Sequence, residues 1–129
     1  MEKVDHVENK KLTILLTGAS SGIGFQAALQ LFDRGHKLIL PCRTVRTSKS
    51  LLKNLEYASH GKFNISDHVF SPVLDLADLK SIDKCISKLF KRDETIDTLI
   101  LNAGLQYTGA KEPMWSSQDF ELTFAVNHL

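Results

Sequence analysis

The sequence predicts an α/β protein, a doubly wound parallel sheet with helices on both faces. Three observations carry this. Short apolar runs alternate with longer amphipathic segments in the order β-α-β-α-β-α-β-α. Glycine, proline or capping residues stand at the junctions. A glycine-rich stretch, T-G-A-S-S-G-I-G at residues 17–24, joins the first apolar run to the first amphipathic segment.

The elements follow in order. Residues 12–17 (LTILLT) form a continuous apolar run, as expected of a strand buried on both faces. From Gly22 to Arg34, Ile23, Ala27, Leu31 and Phe32 recur at helical spacing, and Gly35 is placed to end that helix. Residues 37–41 (KLILP) read as a second strand. Residues 44–60 carry Leu51, Leu52, Leu55 and Ala58 as a second helix, closed by Gly61. Residues 68–74 (HVFSPVL) are a weaker third strand. Pro72 removes a ladder donor there, which favours a sheet edge or a bulge.

Asp78 is placed to cap a third helix carrying Leu79, Ile82, Ile86, Leu89 and Phe90. Residues 96–101 are the fourth strand, and residues 106–113 a loop rich in breakers. Ser116, with Asp119 three residues on, resembles a capping box for a last helix containing Phe120, Leu122, Phe124, Val126 and Leu129. Residues 1–11 read as a polar tail without the apolar core of a signal peptide, and residues 12–129 as one domain.

Composition narrows the function classes. With 43% hydrophobic and 24% charged residues and a formal charge of +1, nothing points to nucleic acid or a charged membrane surface. No apolar run approaches the ~20 residues of a membrane span. Cys42 and Cys85 are the only cysteines and form no CxxC, which fits a reducing cytoplasm and two small buried apolar side chains. The five histidines show no metal-ligand spacing, so no metal site is expected.

The glycine-rich turn is the strongest chemical signal. Glycine lets the backbone turn sharply and approach a ligand, and the following helix directs its free N–H groups at an anion. A P-loop is excluded because no lysine follows Gly22 or Gly24. Residues 22–27 fit GxGxxA, but that match begins five residues after the strand's apparent end. The remaining pattern, TGxxxGxG with Thr17, Gly18, Gly22 and Gly24, points to a nucleotide, with Ser20, Ser21 and Ile23 inside the same loop.

From here the chain resembles the short-chain dehydrogenases/reductases. TGxxxGxG is followed by Asp75-Leu76 after the third strand, Asn102-Ala103-Gly104 after the fourth, and Asn127 in the last helix. The resemblance implies a Rossmann-type sheet of order 3-2-1-4, truncated after four βα units. It also implies an adenine-contacting role for Asp75 and Leu76, a cofactor-side role for the NAG residues, and a place in the catalytic tetrad for Asn127. LPCRT, LDLADLKSI, KEP and FELTFAVNHL resemble the branch of retinol dehydrogenases and protochlorophyllide reductases, which implies a bulky apolar substrate. Leu101 departs from the many members that carry a second asparagine there.

The tip of the second strand selects the dinucleotide. An acidic residue there would accept bonds from the ribose hydroxyls of NAD, whereas an arginine pairs with the 2′-phosphate of NADP. Arg43 holds that position, Arg46 follows, and no Asp or Glu lies between His36 and Glu56. The expectation is NADP(H).

Tyr107 and Lys111 have the spacing of a tyrosine and the lysine that lowers its pKa. Gly109 and Pro113 make their surroundings a poor helix, and the pair follows the NAG directly. The resemblance implies that the family's serine, tyrosine and lysine come after a fifth strand, past Leu129. The expectation is therefore a cofactor-binding half, inactive by itself, that can self-associate through the open edge of its fourth strand.

Overall fold

A computed structural model of the chain describes residues 10–104 and 112–128. Most of the polar tail, the Y-T-G-A-K stretch and Leu129 lie outside the described residues. The elements are β1 (Thr13–Leu16), α1 (Gly22–Asp33), β2 (Lys37–Ile39), α2 (Val45–Ala58), α3 (Ile65–His68), β3 (Val69–Phe70), α4 (Leu79–Arg92), β4 (Thr98–Ile100) and α5 (Leu122–Asn127).

The four strands form one parallel sheet of order β3-β2-β1-β4, the predicted order. Ile14 pairs with Leu38 on one side and with Thr98 on the other. Right-handed crossovers then fix the layers. β1, β2 and β3 step in one direction, so α1 and α2 cover one face. The return from β3 past β1 to β4 carries α4 over the other face.

Sequence periodicity explains the packing. α1 buries Gly24, Ala28 and Phe32, one residue per turn, and α2 buries Ser48, Leu51 and Leu55. These meet Ile14, Leu16, Leu38 and Leu40 from alternate strand positions in a single core cluster. Leu15 and Ile39, between them, are buried on the opposite face, so the central strands are apolar on both sides, as their unbroken runs predict. The second face is thinner. α4 contributes one buried residue, Cys85, while Ile86 and Phe90 stay exposed.

Pro72 lies beyond a two-residue β3 at the sheet edge, where the missing donor costs nothing. Pairing nevertheless continues past it: Cys42 N–H donates to the Pro72 carbonyl (2.9 Å) and Leu74 N–H to the Cys42 carbonyl (2.7 Å). The expected strand over 68–74 is thus partly corrected, because residues 65–68 form a single helical turn capped by the Asn64 side chain. Asp78 caps α4 as expected, accepting from Lys80 N–H at 3.0 Å.

The capping box at Ser116 and Asp119 is a second correction. Ser116 Oγ accepts from Phe120 N–H (3.1 Å), Asp119 turns with φ 61°, and the helix starts only at Leu122. Its cap is Glu121, whose carboxylate accepts from Thr123 and Phe124 N–H. Those two bonds hold the Glu121 pKa below the usual carboxylate value. Among the described residues no helix is long and apolar enough to cross a membrane.

His36 is 9% exposed and accepts from Leu12 N–H through Nδ1 at 3.1 Å. Burial, then Lys11 and Arg34, lower its pKa from 6.5. The folded state therefore binds fewer protons than the unfolded one near and below that value, so stability rises with pH there. We predict that the urea midpoint falls as pH is lowered from 8 through the ordinary histidine range (pKa ~6.5). Replacing His36→Gln should flatten that dependence, and an equal slope in both proteins would contradict it.

Candidate functional site

All four strands run parallel, so their carboxyl ends share one edge of the sheet, and the order of strand addition reverses between β1 and β4. An open parallel sheet binds ligands at such a point. A cleft of about 240 Å³ lies there, lined by Thr17, Gly18 and Ser20 after β1, and by Pro41, Cys42 and Arg43 after β2. Leu74, Asp75, Leu76 and Ala77 line it after β3, Ala103 after β4, and Leu122 and Val126 from α5.

The Thr17 hydroxyl clasps the two central loops. Its Oγ1 accepts from both Asn102 N–H and Ala103 N–H at 3.1 Å, while Thr17 N–H donates to the Ile100 carbonyl. Asn102 Nδ2 donates to the Gly18 carbonyl at 3.3 Å. Gly18 has φ 75°, and a Cβ there would lie 2.8 Å from Ala103 Cα. A Cβ on Gly24 would run into the Gly18 carbonyl and lie 2.6 Å from Asn102 Nδ2. Two glycines of the motif are thus fixed by close backbone approach inside the protein itself.

The third glycine, Gly22, is different. Its φ is 59° and a Cβ built on it meets nothing within 4 Å. It opens α1, whose N-cap Ser21 makes no side-chain cap bond and whose first turn has no acidic residue. The first-turn N–H groups and the positive end of the helix dipole are left for an external anion.

The other walls are held by short polar bonds. Asp75 Oδ1 accepts from Ala77 N–H (2.9 Å), Asp75 N–H donates to Ser81 Oγ (2.8 Å), and Asp78 N–H donates to the Asp75 carbonyl (3.0 Å). Ser48 Oγ donates to the Ser71 carbonyl and Ser71 Oγ to the Leu40 carbonyl, tying α2 to the strand ends. Burial raises the Cys42 thiol pKa, against a smaller lowering by the Ser71 hydroxyl. Cys42 is thus a protonated packing residue in the cleft wall rather than a nucleophile.

Arg43 is exposed beyond β2 in the cleft wall, and Arg46 is exposed in the first turn of α2. Among the described residues the one ion pair is Arg92–Glu94, at the far end of α4. The Arg43 charge is therefore not neutralised within the described fold.

Of the residues predicted from the sequence, the structure brings Thr17, Gly18, Ser20, Arg43, Asp75, Leu76 and Ala103 into the cleft wall. Ser21, Gly22, Ile23 and Gly24 form the cap and first turn of α1 and are not among the cleft-lining residues. Gly104 lies against Asn127, whose Oδ1 is 3.5 Å from where a Gly104 Cβ would be. Pro41, Cys42, Leu74, Ala77, Leu122 and Val126 were not foreseen. Leu122 and Val126 are four apart on α5, and that spacing was the only signal for them.

Residues 12–129 match the family model described as short chain dehydrogenase. Human retinol dehydrogenase 13 is 39% identical over 91% of this chain and 33% of its own length. The chloroplastic protochlorophyllide reductase of Daucus carota is 31% identical over 93% of this chain and 29% of its own. The chain thus spans about a third of the length of these curated relatives. An alcohol dehydrogenase from the archaeon Thermococcus sibiricus, solved in complex with 5-hydroxy-NADP, superposes with a TM-score of 0.67 at 27% identity, covering 91% of this chain and 47% of that one.

Replacing Thr17→Val removes one acceptor and orphans two N–H groups. The expected cost is about 1–3 kcal/mol for each group left unpaired. Thr17→Ser, which keeps the hydroxyl, should cost less than half of the total. Urea unfolding at constant slope measures both, and a valine variant within roughly 0.5 kcal/mol of wild type would refute the clasp.

Proposed function

The chain belongs to the short-chain dehydrogenase family, and on that premise we propose that it is the cofactor-binding portion of an NADP(H)-dependent oxidoreductase. The observation that carries this is the pairing of the open α1 N-terminus at Gly22 with the unneutralised Arg43 at the β2 tip. The first suits a pyrophosphate and the second a 2′-phosphate. The 5-hydroxy-NADP complex of the Thermococcus enzyme supports the same reading.

The residues present fit the cofactor. Thr17, Gly18, Ser20, Ser21, Gly22, Ile23 and Gly24 would cradle its phosphates. Asp75 and Leu76 would border the adenine, with Asn102, Ala103 and Gly104 toward the nicotinamide. When bound, NADP(H) supplies or accepts the hydride. Asn127, held against Gly104, would take the family's role of anchoring a water near the reacting group. The names of the two relatives, a retinol dehydrogenase and a protochlorophyllide reductase, support a bulky apolar substrate carrying a carbonyl, alcohol or reducible double bond. The two buried free cysteines fit a cytoplasmic setting.

A second reading, a cofactor-binding or interaction module without turnover, is favoured by β4. Among the described residues β4 pairs only with β1, and Leu99 and Leu101 are 57% and 77% exposed. An open apolar edge of this kind recruits another strand, and a second copy of this chain is one such partner.

Fluorescence titration should show NADPH binding at least about tenfold tighter than NADH, because a charge-assisted arginine–phosphate pair is worth roughly that factor. Arg43→Ala should erase the preference and leave NADH binding unchanged. A preserved preference would remove Arg43 from the site. The 129-residue chain should bind cofactor without reducing apolar aldehydes or ketones. Turnover would instead point to Tyr107 and Lys111 as a working pair.

A further inference from the structure

One wall of the cleft is held from a distance. The turn from Leu74 to Ala77 runs into the N-terminus of α4, and its own bonds close only part of it. The rest come from the segment ahead of α5. Gln118 Oε1 accepts from Leu79 N–H and Gln118 Nε2 donates to Asp78 Oδ1, both at 3.0 Å. Ser117 N–H donates to the Ala77 carbonyl at 3.0 Å. Three bonds thus connect two stretches about 40 residues apart in sequence.

The same segment is fastened to α5. Trp115 bridges Glu121, and Leu122 N–H donates to the Met114 carbonyl at 2.7 Å. α5 supplies Leu122 and Val126 to the cleft and sets Asn127 against Gly104. Residues 114–121 therefore form a strap that joins the Leu74–Ala77 wall to the α5 wall. Gln118 is its hinge-pin: it is the one side chain of the strap that bonds both the Asp78 cap and the first free N–H of α4.

We propose that Gln118 is a positioning residue for cofactor affinity, acting through the Asp75–Ala77 turn without touching the cofactor. This rests on the reading of the cleft as an NADP(H) site. A carboxamide suits the task because it donates and accepts at once. Asp78 can only accept and Leu79 N–H can only donate, so a residue with one function satisfies only one of them. Loss of Gln118 frees the wall that borders the adenine end, and the cost appears in binding as the turn must be ordered anew.

The test uses NADPH and adenosine 2′,5′-bisphosphate, which carries only the adenine end. Gln118→Ala and Gln118→Glu should each weaken both ligands by the same factor, about five- to tenfold, the worth of a lost hydrogen bond or two. The glutamate keeps the acceptor for Leu79 N–H but sets a carboxylate against Asp78. Combining Gln118→Glu with Asp78→Asn restores a donor–acceptor pair in the reverse sense and should recover most of the affinity. General loosening would not be recovered by that exchange. If wild type binds neither ligand, the NADP(H) reading falls and this inference with it. If wild type binds and both single variants bind as tightly, or the double variant is no better than Gln118→Glu alone, the inference alone is overturned.

Discussion

The fold depends on one close approach, that of the glycine turn after β1 to the tip of β4. The Thr17 hydroxyl accepts two N–H groups from a strand end 85 residues away. That bond has value only if the two backbones come within van der Waals contact, which they do at Gly18 and Ala103. Side chains would prevent it at Gly18, and at Gly24 in the first turn of α1. The contact extends the β1–β4 ladder beyond the strand ends, at the reversal of strand order beside the cleft. Fold and site are therefore not separable here. The residues that make the site possible are structural first.

The cleft's electrostatic character follows from what the protein leaves undone. α2, α4 and α5 each receive a side-chain cap, from Thr44, Asp78 and Glu121. α1, which follows the turn that supplies Thr17, Gly18 and Ser20 to the cleft, receives none. Asp75, the one carboxylate in the lining, gives an oxygen to its own turn at Ala77. What remains is an uncapped helix start at Gly22, after β1, and a guanidinium at Arg43, after β2, that forms no ion pair among the described residues.

Much of this is legible in the sequence. The central strands show as unbroken apolar runs because both their faces are buried, and Pro72 points to an edge or a bulge because it cannot donate to a central ladder. What the sequence concealed has physical reasons. Residues 65–68 make one helical turn, too short for any period to register, and Asn64 as its cap looks like any loop asparagine. Ser116 and Asp119 have the right residue types for a helix start, but Asp119 in the left-handed region ends the turn there, and the helix waits for Glu121. In the site, Arg43 is placed by its position at the second strand's tip, and Asp75 by the family resemblance. Gln118 and Ser81 could not, because their partners are fixed by tertiary proximity and leave no local pattern.

The two faces of the sheet differ in a way that bears on binding. α1 and α2 pack on one face into a continuous core that includes Phe32, Leu51 and Leu55, all at most 1% exposed. On the other face α4 buries only Cys85 and α5 only Leu122 and Ala125. Hydrophobic burial is therefore concentrated in the half that supplies Thr17, Gly18 and Arg43, and is sparse in the half that supplies Ala77, Leu122 and Val126. Polar bonds through the strap, rather than apolar packing, hold the second half's walls in register. A ligand in the cleft touches both halves, so part of its binding energy goes into ordering the weaker one. The stabilisation appears as linkage, growing with ligand concentration over its dissociation constant. The segment from 114 to 121 is the connection through which such ordering passes from one wall to the other.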